Sequence, residues 1–510
     1  MTNTRNVVPL VAARVVTLGL QIASIRTYVR VLGDDAYAVF VYFTAIMGYV
    51  LLVDLGILSA LQRELLEVYA KDERWAIRRT IKDGAKMLAL SLVAGWGVYA
   101  FLAAVLKLPF SETVRVSMPL MALFGGVHLL GNLTFLFLNA VLAGAARFRR
   151  LGVSLLAGGA AAPALGIVGA YVSRSPQGVV AGTSLGFCLA ALTAFVLAAP
   201  IWKEAPHGHE APPRTRSILQ AGLRGFASRV SAQFGTSIDR ILIGNTVPTV
   251  LTPYALCYQV AQLLQELLVP VYQTMFPEIS RAMVKGPKEL SVAVERTVLI
   301  GVSFASSMIL VGSAYGDPIL RLWVSKEVEY ALWTTLLLGV YRSADFLNNI
   351  IGIAHFSAAR MDRLIPYTAT NATLTIALTA FAVRGWGIVG VGVMNAAIST
   401  LILVPLLYGV KRRYAPDLAL RRLFAKSVGM VAVAGVFVGL VGWGTTFVDS
   451  TRESLWLCLT APFAVGGCYL LQVKLCGAPY PKALANKILA KWQRDHSPAP
   501  NEKVDSIEPE

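Results

Sequence analysis

Apolar residues fall in blocks of roughly 20 along the chain, separated by short polar or basic segments. A helix of about 20 apolar residues spans a hydrocarbon core of about 30 Å. The blocks therefore predict membrane-spanning helices and not the core of a soluble fold. They cover residues 7–29, 37–60, 84–106, 117–142, 150–172, 178–200, 217–243, 249–275, 290–314, 328–353, 364–383, 386–410, 424–447 and 453–475. The pattern predicts an all-α integral membrane protein of about 14 transmembrane helices.

A polar break divides the predicted helices into two sets of six, with two further helices after the second set. The break contains Pro206, Pro212 and Pro213, which is typical of a linker. We expect an N-lobe at 1–200, a cytoplasmic linker at 201–216, a C-lobe at 217–410, helices 13 and 14 at 411–475, and a cytoplasmic segment at 476–510. In that last segment, residues 482–494 have the spacing of a basic amphipathic helix, and the polar residues after them predict a disordered tail.

Basic residues indicate how the chain crosses the membrane. The net charge is +17, but the Lys and Arg residues lie between apolar blocks and not on a soluble basic domain, which argues against a nucleic-acid partner. Assigning the loops to alternate sides places about 32 basic residues inside and about 8 outside. The bias predicts that both termini are cytoplasmic.

Motifs for disulfides, metal sites and ATP binding are absent or weak in the sequence. The five cysteines show no CxxC spacing, and four of them lie inside apolar blocks, so we expect neither disulfides nor a metal site. His207 and His209 alone are a weak metal site in a flexible segment. The chain has no Walker loop, which argues against ATP as its energy source. We predict no cofactor.

Polar residues inside the predicted helices identify a candidate site, because each buried ionisable group costs about 2 to 3 kcal/mol and faces a cavity or a partner. Helix 1 carries a continuous polar face, and helix 8 carries a stripe of Gln259, Gln262 and Glu266. Arginines outnumber acids in these helices, and the planar guanidinium suits phosphate. The candidate substrate-binding residues are Arg14, Gln21, Arg26, Arg224, Arg229, Arg240 and Arg342, and the candidates for ion coupling are Asp54, Asp239 and Glu266.

Several candidates also have a purely structural explanation. Arg342 and Asp345 are three residues apart and could neutralise each other. Asp239 could pair with an arginine of helix 1. Arg26 and Arg240 lie near helix ends and could anchor to lipid headgroups.

Three short motifs are informative: Arg30-Val-Leu-Gly33 followed by Tyr37, Asp54-Leu-Gly56 before Arg63, and Ser237-Ile-Asp239-Arg240. With the helix layout, they resemble the polysaccharide flippase branch of the multidrug/oligosaccharidyl-lipid/polysaccharide exporter superfamily, whose members move O-antigen and capsule repeat units. The resemblance covers nearly the whole chain. It implies two six-helix lobes around a V-shaped central cavity, with helices 13 and 14 beside them.

The resemblance also implies a function. The substrate would be a polyprenyl-diphosphate-linked oligosaccharide, moved from the cytoplasmic to the outer leaflet by alternating access. Arg14, Arg224 and Arg229 would hold its diphosphate, and no covalent chemistry is implied. The protein would be a multi-pass protein of the bacterial inner (plasma) membrane, with membrane lipids as partners. A polysaccharide polymerase and glycosyltransferases are further partners that the resemblance allows.

Three other functions remain open. A multidrug and toxin extrusion antiporter shares the lobes but selects cations through acidic cavity residues, and the arginines argue against it. A membrane-bound polymerase or ligase would need a long outward loop, whereas the predicted outward loops are short. A non-transporting scaffold of a polysaccharide-synthesis complex is compatible with the sequence.

Overall fold

The computed structural model describes residues 4–54, 56–70, 73–105, 112–203, 215–268, 275, 278–283, 285–325, 327–358, 360–445, 447–448 and 450–477. Within these ranges some side chains are not described, among them those of Arg14, Arg224 and Arg229. All the regular secondary structure of the described residues is helical. Most of the predicted linker, at 204–214, and the predicted amphipathic segment and tail, at 478–510, lie outside the described residues.

The N-lobe is built from seven described helices. They are α1 (Thr4–Leu32), α2 (Asp34–Val50), α3 (Ile57–Ala70), α4 (Ile77–Val105), α5 (Glu112–Gly144), α6 (Phe148–Ser173) and α7 (Pro176–Lys203). The largest contacts in this lobe join α6 to α7 and α1, and α7 to α5. Small residues let these backbones approach closely, since a Cβ atom at Gly182 would lie 2.1 Å from the carbonyl oxygen of Leu165.

The C-lobe follows with six described helices. They are α8 (Thr215–Thr246), α9 (Leu251–Glu266), α10 (Pro287–Phe304), α11 (Gly316–Val324), α12 (Ala331–Ser357) and α13 (Ile365–Arg413). The helix α10 continues through a π-helical turn, Ala305–Leu310, to Ala314. The long α13 is broken at Gly387, whose φ of 59° and ψ of −147° are accessible only to glycine. It therefore supplies two of the predicted membrane spans.

Three further helices lie beside the C-lobe: α14 (Leu420–Thr445), α15 (Thr451–Leu459) and α16 (Ala461–Cys476). Helix α14 packs against α10 and α16, and α15 packs against α11. A capping box formed by Ser450 and Glu453 begins α15, because each side chain accepts a hydrogen bond from the other residue's backbone N–H. The break at Thr460 separates α15 from α16 within one predicted membrane span.

The helices form the predicted fold of 14 membrane spans, in two six-helix lobes with two additional helices. In the described part of the chain, eight segments are long and apolar enough to cross a membrane by length and composition alone. The remaining spans lie in α2, α4, α8, α9 and α12, of which α2 has 17 residues and α9 has 16. The predicted second span, at 37–60, is interrupted by a 3₁₀ turn at Leu51–Asp54, and α3 begins after it.

The two lobes touch at both ends of the bundle. At the end predicted to be outer, Thr252 Oγ1 donates a hydrogen bond to the Asp34 carbonyl (2.8 Å) and Tyr42 Oη donates to Asn245 Oδ1 (2.9 Å). At the inner end α3 packs against α8, and a Cβ atom at Gly56 would lie 2.6 Å from the Gly222 carbonyl oxygen. The space between the lobes is therefore bounded at both ends of the bundle.

Candidate functional site

Two adjoining cavities of about 460 Å³ each lie between the lobes. We call the first the arginine cavity, since Arg240 and Arg342 line it, and the second the amide cavity, since Gln21, Gln259 and Gln262 line it. The two cavities share the lining residues Ile25, Phe40, Gln259 and Gln262. Each volume is within the range of about 300 to 1,000 Å³ that is usual for ligand pockets.

The arginine cavity brings two guanidinium groups to one aromatic ring. The Cζ atom of Arg342 lies 4.2 Å from the centroid of the Tyr258 ring, and that of Arg240 lies 4.7 Å from it. Both contacts are cation–π interactions, in which the negative face of the ring attracts each cation. The described lining residues of this cavity include these two arginines and no acidic residue.

Arg342 keeps hydrogen-bonding capacity although it is only 5% exposed. Its Nη1 atom is 3.8 Å from Asp345 Oδ2, beyond hydrogen-bond distance, and that carboxylate oxygen already accepts a hydrogen bond of 2.8 Å from Gln265 Nε2. The buried Nε atom of Arg342 has no hydrogen-bond partner. The predicted neutralisation by Asp345 is therefore loose, and the Arg342 side chain lines the cavity.

Asp239 lies behind Arg240 in a polar cluster that joins three helices. The Tyr254 hydroxyl of α9 donates to Asp239 Oδ2, and Asn395 Nδ2 of α13 lies 3.4 Å from the same oxygen. Arg240 Nε is 3.9 Å from Asp239 Oδ1. Asp239 is 1% exposed and is absent from the described lining of both cavities, so the cluster supports the arginine cavity from behind.

The amide cavity differs from the arginine cavity in the charge of its described lining residues. The polar face predicted for helix 1 and the stripe predicted for helix 8 both line it, as do Phe135 and Phe187. Glu266 is the one charged side chain among its described lining residues, and its Oε1 atom accepts a hydrogen bond of 3.0 Å from Gln262 Nε2. On α6, Gly158 and Gly159 let two lining side chains pack against the helix backbone, since a Cβ atom there would lie 2.3 Å from the Phe135 ring and 2.0 Å from Thr17 Oγ1.

The short helix α11 contacts α1 at the end of the bundle that is predicted to be outer. Trp323 Nε1 donates a hydrogen bond of 2.7 Å to the carbonyl of Ile22 in α1, so this helix joins the two lobes. Arg321 forms ion pairs with Asp317 (3.1 Å) and Glu327 (3.2 Å). Burial raises the pKa of the Asp317 carboxyl above its ordinary value, and Arg321 opposes part of that shift.

The predicted site residues fall into four groups. Gln21, Glu266, Arg240 and Arg342 line the cavities, and Asp239 lies behind them. Asp54 lies at the inner end, where its carboxylate accepts a hydrogen bond from the Gly56 backbone. Arg26 is exposed and is not among the described lining residues of either cavity. The side chains of Arg14, Arg224 and Arg229 lie outside the described residues.

The aromatic side chains of the site were not predicted from the sequence. Tyr258 follows Tyr254 by one helical turn and precedes Gln262 by another. This spacing places Tyr258 on the predicted polar stripe of the helix, which is the signal that could have identified it as a site residue. No cluster of three or more His, Cys, Asp or Glu side chains suited to a metal ion is found in the residues that were described.

Solved structures show the same fold. A lipid II flippase, MurJ, in an inward closed conformation matches with a TM-score of 0.64 at 13% identity, over 96% of this chain and 100% of that chain. A MATE transporter of Vibrio cholerae matches with a TM-score of 0.62 at 12% identity, over 80% and 96%. A MOP superfamily transporter from Pyrococcus furiosus, described as having a binding pocket of reverse polarity, matches with a TM-score of 0.56 at 14% identity, over 80% and 95%.

Sequence comparison identifies the family. No curated protein matches the chain. A family model described as polysaccharide biosynthesis protein matches residues 4–283, which is more than half of the 510 residues. The chain is a multi-pass membrane protein with the fold of the MOP superfamily transporters, and it belongs to the polysaccharide biosynthesis protein family.

Proposed function

We propose that the protein is a flippase that moves a polyprenyl-diphosphate-linked oligosaccharide from the cytoplasmic to the outer leaflet. The observation that carries the proposal is the pair of arginines on Tyr258, in a cavity between the lobes whose described lining has no acidic residue. The matching family of polysaccharide biosynthesis proteins supports an oligosaccharide as the cargo.

The two guanidiniums suit a diphosphate for an electrostatic reason. Two like charges held near one ring repel each other, and the repulsion is strong where water is scarce. A bound dianion removes that repulsion and offers acceptors to the guanidinium groups of the two arginines that line the cavity. Tyr258 positions both side chains, while the Asp239 and Asp345 carboxylates approach them only to 3.9 and 3.8 Å, so the two guanidiniums are in place before the anion arrives.

Release requires the cavity to open to the other side of the membrane. We propose alternating access, in which the contacts at the two ends of the lobes break in turn while the prenyl tail stays in lipid. A cation that enters as the lipid leaves would bind Asp239, because this carboxylate is buried directly behind Arg240. Its affinity for a cation would then depend on whether Arg240 is bound to the diphosphate. Asp54 and Glu266 are the other candidates for ion coupling.

A cation-coupled antiporter of the multidrug and toxin extrusion type is the second candidate. The observation that favours it is Glu266, an acidic side chain in the lining of the amide cavity. An organic cation would bind there in preference to the arginine cavity.

The proposed orientation follows from the basic residues, and the proposed membrane follows from the family. We propose the bacterial inner membrane with both termini cytoplasmic, and a role in the synthesis of lipopolysaccharide, capsule or exopolysaccharide. A polysaccharide polymerase and glycosyltransferases are the partners that such a role needs. The protein would perform no covalent chemistry itself, and a non-transporting scaffold would bind the same partners without moving lipid.

The test measures transbilayer movement and binding of a fluorescent undecaprenyl-diphosphate-oligosaccharide in proteoliposomes, for wild type, Arg240→Gln, Arg342→Gln and the double variant. Each arginine–phosphate hydrogen bond contributes about 1.5 to 3 kcal/mol, so each single change should weaken binding about tenfold or more. The double variant should move no lipid. Arg384→Gln is the matched control, because Arg384 is exposed on α13.

Normal lipid movement by the double variant would overturn the proposed site. Efflux of organic cations by wild type without lipid movement would favour the antiporter, and lipid-independent assembly with the polymerase alone would favour the scaffold. The same measurements on Arg14→Gln, Arg224→Gln and Arg229→Gln test the remaining predicted arginines.

A further inference from the structure

At the end of the bundle predicted to be inner, a tight turn of the N-lobe meets the start of α8. The 3₁₀ turn Leu51–Asp54 leads to Gly56, whose φ of 74° lies in the left-handed region, and α3 begins at the next residue. The buried carboxylate of Asp54 accepts a hydrogen bond of 3.1 Å from the Gly56 backbone N–H. A side-chain bond to the backbone two residues on fixes a turn, so the backbone of Gly56 meets α8 in a defined conformation.

The turn and α8 approach each other backbone to backbone. A Cβ atom at Gly56 would lie 2.6 Å from the carbonyl oxygen of Gly222 and 3.1 Å from its Cα atom. The backbone of a packed helix cannot move aside as the end of a side chain can, so a larger residue at position 56 would push the two lobes apart. Gly33 provides a contrast, because its φ of 79° is similar but a Cβ atom there would meet no atom within 4 Å.

An apolar cluster lies beside this contact. It consists of Ile57, Ala60, Met87 and Ile218. The first three belong to α3 and α4 of the N-lobe, whereas Ile218 belongs to α8 of the C-lobe, one helical turn before Gly222, and is fully buried. The burial of Ile218 therefore depends on contact between the lobes, and separation would expose apolar surface to water.

The two ends of the bundle are held by different kinds of contact. At the end predicted to be outer, Tyr42, Thr252 and Trp323 each form a hydrogen bond between the lobes. At the inner end, the lobes meet through close backbone packing and apolar side chains. A substitution that weakens the inner contact therefore leaves the outer hydrogen bonds in place.

We propose that the turn ending at Gly56 and the start of α8 form the inner gate of the two cavities, and that this gate closes only with glycine at position 56. The inference rests on the proposed function, because this gate would admit the lipid headgroup from the cytoplasm. The gate opens when the apolar cluster separates, and it closes when Gly56 returns to the backbone of Gly222. A headgroup enclosed in this way leaves only through the outer end.

The experiment measures access to the arginine cavity from each side of the membrane. A cysteine replaces Thr44, a lining residue of that cavity, in the full-length protein without its native cysteines. A membrane-impermeant maleimide is applied to inside-out or right-side-out vesicles, and no lipid substrate is added. Gly56→Ala should raise the labelling rate from the cytoplasmic side about tenfold or more, because the closed state is disfavoured, and should not raise the rate from outside.

Gly33→Ala is the matched control for backbone strain. It places alanine at a similar positive φ without a clash between the lobes, so the labelling rate from the cytoplasmic side should stay at the level of the cysteine reporter alone. Equal cytoplasmic labelling for Gly56→Ala and Gly33→Ala would overturn the inference. An increase from outside in Gly56→Ala would overturn it as well.

A second pair of variants tests the apolar cluster without straining the backbone. Ile218→Ala removes a contact that exists only while the lobes are together, and should raise cytoplasmic labelling about fivefold. Ile353→Ala removes a buried side chain from the core of the C-lobe near the same end, and should leave labelling unchanged. Equal rates for these two variants would contradict the gate, and this pair decides the question if Gly56→Ala does not assemble in the membrane.

The outcomes distinguish the gate from the proposed function. The labelling rates are measured without lipid, so they report the gate whatever the cargo is. Normal lipid movement by the double arginine variant would overturn the proposed binding site and leave the gate standing. Raised labelling in Gly56→Ala and Ile218→Ala, with unchanged rates in their controls, would support the gate.

Discussion

Gln472 is a buried amide that connects α16 to the π-helical turn after α10. Its Oε1 atom accepts a hydrogen bond of 2.7 Å from Ser303, and its Nε2 atom donates to Ser306 Oγ (2.8 Å) and to the Met430 carbonyl (3.0 Å). The side chain is fully buried. A single residue thus satisfies polar groups of two other helices, and π-helical turns otherwise leave such groups without regular partners.

Gln472→Leu should destabilise the protein without changing lipid binding. The substitution leaves two hydroxyls and one carbonyl without this partner, at a cost of about 1 to 3 kcal/mol. We expect a lower midpoint of heat unfolding in detergent, measured by the fraction that remains monodisperse. Gln62→Leu, at an exposed position of α3, is the control and should leave the midpoint unchanged. Equal midpoints for wild type and Gln472→Leu would contradict the assignment.

At the residue scale, the sequence predicted polar faces better than individual contacts. Helical spacing alone indicated that Gln21, Gln259 and Glu266 face a common space, because residues three or four apart share a face. Spacing did not predict that Arg240 and Arg342, from α8 and α12, meet on the ring of Tyr258. That contact depends on how three helices are rotated against one another, which no periodicity within one helix determines.

At the scale of elements, α11 links three parts of the molecule. Its Trp323 side chain is hydrogen-bonded to α1 of the N-lobe, and Tyr315, directly before it, shares a hydrogen bond of 2.9 Å with Thr460. Thr460 lies at the break between α15 and α16, beside the C-lobe. The break between α15 and α16 is therefore hydrogen-bonded to the start of α11, the element that contacts α1 of the N-lobe.

Trp323→Phe should make the cavity more accessible from outside. The phenyl ring keeps part of the packing but cannot donate to the Ile22 carbonyl, and one hydrogen bond of about 1 kcal/mol shifts a two-state equilibrium about fivefold. The measurement is labelling of Thr44→Cys, a cavity position, by a membrane-impermeant maleimide applied outside, in a protein without its native cysteines.

The control for this experiment is Trp333→Phe, since Trp333 is 59% exposed on α12. We expect its labelling rate to equal that of the wild-type background. Equal rates for Trp323→Phe and Trp333→Phe would show that the Trp323 hydrogen bond does not hold the outer end closed.

The sequence predicted long apolar elements and missed short amphipathic ones. The division of α13 into two spans was predicted because Arg384 and Gly385 interrupt the apolar run, and the break at Gly387 confirms it. Helices α3 and α11 were not predicted, since each is too short and too polar to stand out as a membrane span. Both are stabilised by packing against the lobes, and such tertiary contacts leave no hydropathy signal.

At the scale of the whole molecule, charge is distributed unevenly along the predicted membrane normal. Exposed basic residues gather where α13 ends and α14 begins, at Arg412, Arg413, Arg421 and Arg422, on the side predicted to be cytoplasmic. An inside-negative potential favours this orientation and also favours the outward movement of an anion. The same field therefore orients the protein and assists export of the proposed substrate.

The rate of transport should depend on membrane potential, and the slope of that dependence should give the net charge that moves in each cycle. A dianionic headgroup gains about 4 to 5 kcal/mol at 100 mV, and a cation that enters in exchange adds about 2.3 kcal/mol. We expect the rate of lipid export from proteoliposomes to rise as a potassium diffusion potential makes the side of origin more negative.

Asp239→Asn should export more slowly and with a shallower dependence on potential, because one fewer charge moves in each cycle. A wild-type rate that ignores potential would contradict movement of a net charge, and equal slopes for the two proteins would exclude Asp239 as the cation carrier.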